Sequence, residues 1–72
     1  MLGRPGTKRQ PCLLLELKTN DRGYAMGYRF RVDQRDGDKH HFANRHRAEW
    51  FVAVHGFTPV SEHQMAIIRE GN

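Results

Sequence analysis

Large apolar positions alternate with small or charged ones through residues 24–33. Tyr24, Met26, Tyr28, Phe30 and Val32 take one side, and Ala25, Gly27, Arg29, Arg31 and Asp33 take the other. A period of two predicts a half-buried strand. Upstream, residues 12–18 form a short apolar run in which Leu13, Leu15 and Leu17 alternate with Leu14, Glu16 and Lys18. The intervening TNDRG is turn chemistry. A four-residue loop at 19–22 sets Leu17 opposite Tyr24, Leu15 opposite Met26 and Leu13 opposite Tyr28. All the large apolar side chains then share one face, so burial selects this register.

The RDGD stretch marks a second hairpin, and register again chooses its form. A two-residue turn at Asp36 and Gly37 would put Phe42 on the same face as Arg31. A three-residue loop at 35–37, with Gly37 left-handed, puts Phe42 opposite Phe30, His40 opposite Val32 and Lys39 opposite Asp33. It satisfies both faces and is preferred. Residues 38–43 are then a third strand. NRHRAEWFVAVHG follows with helical spacing. Asn44 is the N-cap, Gly56 the left-handed terminator, and Ala48, Phe51, Val52 and His55 form the apolar stripe. Trp50 and Val54 are expected to widen that stripe. The last segment, from Phe57 onward, carries two signals. Ser61 with Gln64 matches a capping box, which favours a helix. The β-branched Ile67-Ile68 pair and the loose alternation of Met65, Ile67 and Arg69 favour a strand, the preferred reading. The expected fold is a small α+β domain. A three-stranded antiparallel sheet packs on one α-helix, with a C-terminal strand or short helix.

At 72 residues the chain holds one domain at most. Domains of this size bury only about 60% of their unfolded surface, so the core must be compact. Residues 1–11 contain two prolines, two glycines and three cations with no periodicity. They read as a flexible basic arm, leaving 12–72 as the domain. The single cysteine, Cys12, rules out an internal disulfide and fits a reducing cytoplasm. The longest apolar run, residues 50–54, is too short for a membrane span, and no signal-peptide pattern follows the basic N-terminus. No membrane association is expected.

Charge is the strongest compositional cue. Twelve Lys and Arg face eight Asp and Glu, for a net charge of +4. Nine of those cations are arginine, the residue suited to bidentate contact with carboxylate or phosphate. A polyanionic partner is expected, either an acidic protein surface or nucleic acid. The candidate partner-binding residues are Arg4, Lys8 and Arg9 on the arm, Arg29 and Arg31 on the outer sheet face, and Arg45 and Arg47 in the first helical turn. Cations in that turn oppose the helix dipole, a small cost that hints at use. The plainer alternative is a solvated charged face, with Lys39 neutralising Asp33.

Other chemistry is less well supported. The five histidines lack the spacing of a four-ligand zinc site, and His40 and His41 point to opposite strand faces, so no metal or other cofactor is expected. His40 and His55 are expected to be partly buried where sheet and helix meet. A phosphate loop, a nucleophile elbow and a zinc-protease motif are all missing from the sequence. Cys12 lies at the expected frayed start of the first strand. No enzymatic activity is expected. Nucleic-acid binding through the sheet needs stacking aromatics on the outer face. The alternation sends them inward, leaving only salt-sensitive phosphate contacts.

The basic arm, the YRFRVDQRDG hairpin and the HRAEWFVAVHGF helix together resemble the small bacteriophage transcription regulators of the Xanthomonas phage type. The resemblance spans most of the chain and rests on overall similarity rather than a diagnostic motif. It implies a non-enzymatic protein of the host bacterial cytoplasm that binds RNA polymerase near the β′ N-terminal region and the β flap. It also implies interference with sigma-dependent initiation, by displacement of the sigma factor, and a role in antitermination. A monomer is expected. The rival expectations are a small basic nucleic-acid-binding module and, more weakly, a structural zinc domain.

Overall fold

A computed structural model describes residues 10–71 of the chain. In order, the elements are β1 (Gln10–Glu16), α1 (Arg22–Ala25), β2 (Phe30–Gln34), β3 (Lys39–Phe42), α2 (Arg45–Val54), β4 (Phe57–Pro59) and α3 (Glu62–Glu70). The strands form one mixed sheet in the order β3-β2-β1-β4. The α+β class is as expected, but the sheet has a fourth strand that pairs parallel with β1. Gln10 and Pro11, assigned to the arm from sequence, are part of β1 and pair with Phe57 and Thr58.

The second hairpin follows the sequence reading. Phe30 pairs with Phe42, Val32 with His40 and Asp33 with Lys39. Gly37 is left-handed at φ 100°. The Gln34 amide donates to the Asp38 carbonyl at 2.8 Å, closing a three-residue loop.

The first hairpin does not. Leu15 pairs with Arg31 instead of Met26, and Leu14 with Val32. The displacement is odd, so the two faces of β1 are exchanged. Cys12 and Leu14 now lie with Phe30 and Val32 on the side covered by Ala48 and Val52 of α2. Leu13 and Leu17 are buried as well, but outside that cluster. A strand covered on both sides reads as a continuous apolar run, so Leu13-Leu14-Leu15 cannot reveal which leucines face α2.

The missing part of β2 is a turn of helix. The Tyr24 amide donates to the Asp21 carbonyl at 3.1 Å, and the Met26 amide to that of Gly23 at 3.1 Å. Gly27, at φ 99°, ends the turn. Arg29 holds it from below: one guanidinium nitrogen donates to the Tyr24 and Tyr28 carbonyls at 2.9 and 3.0 Å, and the group lies 3.8 Å over the Tyr24 ring. Gly23 is buried where this turn meets the sheet. A Cβ there would approach His41 Cδ2 at 2.9 Å and Leu17 Cδ1 at 3.0 Å. Gly23→Ala is expected to cost about 1 kcal/mol, the low end for overpacking because the exposed His41 ring can yield. A thermal melt measures the cost, and ring shifts of Tyr28, which packs on His41 at 5.3 Å, register the displacement.

Both later helices are capped by their own sequence. Asn44 accepts from the Arg47 amide at 2.9 Å, and Gly56 takes φ 70° after α2. Ser61 accepts from the Gln64 amide at 3.0 Å. The capping box therefore prevails over the β-branched pair, and the C-terminal segment is helix, contrary to the strand preferred from sequence. Met65 anchors it as a fully buried side chain, and α3 rests against β1. The Arg69 guanidinium donates to the Gln34 and Arg35 carbonyls at 3.0 and 3.1 Å, tying α3 to the β2–β3 turn. Among the described residues, no helix is long and apolar enough to cross a membrane.

Candidate partner-binding surface

The arginines of the outer sheet face are already occupied. Arg29 caps the helical turn as described above. Arg31 makes a bidentate pair with Asp33, Nε to Oδ1 at 2.6 Å and Nη2 to Oδ2 at 2.8 Å. Asp33 is buried, which makes this fork geometry a structural requirement rather than a spare anchor. Lys39, the partner expected for Asp33, stands further off at 3.9 Å. The R-x-D spacing on one strand face was the signal for the tighter pair. Arg4, Lys8 and Arg9 lie outside the described residues.

Arg45 and Arg47 are both exposed at the start of α2. Arg45 lies 5.1 Å over the Phe30 ring and 3.9 Å from Glu49 one turn on. Such an exposed pair contributes only about 0.3–0.5 kcal/mol, so Arg45 can be recruited elsewhere at little cost. Arg47 has no side-chain hydrogen bond or ion pair among the described residues. It borders an open groove of about 560 Å³ with Phe42, Asn44, His46 and Trp50.

Trp50 is the residue that sequence reasoning misplaced. It is 63% exposed, and Val54 is exposed with it. Two positions along a helix rotate a side chain by about 200°, so Trp50 points away from the stripe of Ala48 and Val52. The period alone located it. Its apolar character suggested burial instead. The face α2 does bury is a ring cluster centred on Phe51, whose ring lies 4.7 Å from His40, 5.2 Å from Phe42, 4.1 Å from His55 and 5.8 Å from Phe57. Trp50 is left over from this packing, large and aromatic, beside an uncommitted cation.

The remaining candidate chemistry is absorbed into structure. His40 is half-buried and its Nε2 meets Gln34 Oε1 at 2.6 Å. His55 is exposed rather than partly buried, with Nδ1 3.0 Å from the Phe51 carbonyl. Among the described residues, no three His, Cys, Asp or Glu side chains converge as metal ligands. Cys12 is not at a frayed end but inside β1, fully buried in the main cluster. Desolvation pushes its thiol above the ordinary value. Native protein at pH 8 is expected to resist iodoacetamide, and unfolded protein to react fully; mass spectrometry distinguishes the two. Because the folded thiol ionises later than the unfolded one, its share of stability is intact below the unfolded pKa. That share falls as pH rises through the folded value.

No family model matches this sequence, and neither a curated protein nor a solved structure provides a match.

Proposed function

We propose that the protein is a non-catalytic binding module that docks on an acidic surface of a protein partner through the start of α2. One observation carries the docking surface: Trp50 stands exposed beside Arg47, which has no ion-pair partner among the described residues. Trp and Arg are the side chains that most often dominate interface energetics, and here they share one groove with His46. The partner is proposed on the resemblance noted in the sequence. It is host bacterial RNA polymerase, bound near the β′ N-terminal region and the β flap by a phage-encoded regulator. Binding there would inhibit sigma-dependent initiation and act in antitermination, in the bacterial cytoplasm, with the protein as a monomer. Affinity capture with purified core polymerase tests this reading, and failure to retain polymerase rejects it.

The same observation favours a second reading. An exposed indole beside cations is the stacking group that the sheet face lacks, so binding to single-stranded nucleic acid fits the geometry too. That reading predicts binding to an oligonucleotide alone, with affinity falling steeply as salt rises. Measuring oligonucleotide binding without polymerase at two salt concentrations separates the two.

A further inference from the structure

On the other face of the sheet, Lys39 and His41 alternate away from Phe42 and Val32, which pack under α2. They border a groove of about 650 Å³ that also takes in Leu17, Arg22, Met26 and Tyr28. Met26, 76% exposed, is the most exposed large apolar side chain among the described residues. It is not on a loose loop. The hydrogen bonds to the Gly23 and Tyr24 carbonyls, the left-handed Gly27 and the Arg29 cap fix the turn that holds it out. A thioether held in this position adapts readily to an incoming apolar side chain.

The charges around it differ in availability. Arg31 and Asp33 neutralise each other. Asp21 is the remaining carboxylate at the rim, and its Oδ2 accepts from the Lys18 amide at 2.6 Å. Arg22 and Lys39 are exposed, and Lys39 lies 3.9 Å from Asp33. The groove therefore combines an apolar floor with a rim rich in cations. We infer that it is a second docking site, and that its occupant is an acidic protein segment: an apolar side chain set against Met26 and Leu17, flanked by carboxylates for Arg22 and Lys39. Nucleic acid fits less well. The Tyr28 ring is already packed on His41, so it is not free to stack on a base.

The test uses a fluorescein-labelled peptide of about 12 Asp and Glu residues interrupted by two central leucines, followed by anisotropy. Saturable binding is expected, weakened about fivefold or more by either Met26→Ser or Lys39→Gln, and unchanged by Trp50→Ala. Both substituted side chains are exposed, and circular dichroism melts verify that the variants fold. Amide shifts of Gly23, Met26 and His41 should move during titration. The inference is overturned by absence of saturable binding, or by equal binding when glycines replace the leucines. Equal loss in Trp50→Ala, or tighter binding of an oligothymidylate with the same shifts, overturns it as well. Polymerase capture lost in Trp50→Ala but retained in Met26→Ser tests the α2 surface separately, so either site can fail alone.

Discussion

Replacing Phe51 with alanine is expected to destabilise the protein by about 3 kcal/mol, the low end for a Phe→Ala truncation because the ring is only half-buried. The size of the effect follows from position. Phe51 bridges α2 to rings from three other places: His40 and Phe42 on β3, His55 beyond the helix end, and Phe57 on β4. Truncation leaves a void that none of these rings can fill without abandoning its own packing. In a domain this small, each 1 kcal/mol shifts the melting midpoint by about 4–8 °C, so a fall of roughly 12–24 °C should appear in a circular dichroism melt. Phe51→Leu keeps most of the volume and should lose less than half as much. A midpoint for Phe51→Ala within a few degrees of wild type would mean that the ring cluster is not what joins helix to sheet.

Trp50→Ala and Arg47→Gln are expected to produce the opposite pattern, a large loss of partner binding with little loss of stability. Interface anchors of these types typically contribute about 2 kcal/mol or more, which corresponds to roughly 30-fold in affinity. Because both side chains are exposed, their melts should stay within a few degrees of wild type. The control pair is Arg29→Gln and Arg31→Gln. Loss of Arg31 strips the buried Asp33 of its bidentate partner and should lower stability more than it lowers binding by folded protein. Surface plasmon resonance on purified polymerase, paired with melts, places each variant in one class or the other. Unchanged binding in both Trp50→Ala and Arg47→Gln would reject the α2 surface.

What could be read in advance depended on whether a pattern had one physical solution. The β2–β3 hairpin did: only a three-residue loop keeps Phe30 with Phe42 and Asp33 with Lys39. The caps of α2 did as well, since Asn44 and Gly56 each suit their backbone position. The β1–β2 register did not. Three consecutive leucines satisfy either face of a strand that is covered on both, and the alternation of Tyr24 and Met26 imitates a strand although Asp21 and Gly27 bracket a turn of helix. β4 is only three residues long and includes a proline, too short and too broken to announce itself. For the candidate surface, Arg45 and Arg47 were found through charge placed against the helix dipole. Trp50 was missed because its hydrophobicity outweighed its angular position. Arg29 and Arg31 were chosen for facing outward, although neighbouring carbonyls and a carboxylate already use them.

The parallel pairing of β1 with β4 also sets the order of events during synthesis. Within this sheet β1 is made before its neighbours and sits between β2 and β4, yet β4 is made only when the chain reaches Phe57–Pro59. Until then one edge of β1 is open, and Cys12 and Leu14 lack the full cover of α2 and β4. Such long-range closure slows folding and leaves an adhesive edge exposed in the meantime. The nascent sheet is therefore expected to stay incomplete until Phe57–Pro59 emerges, and to close in one late, cooperative step.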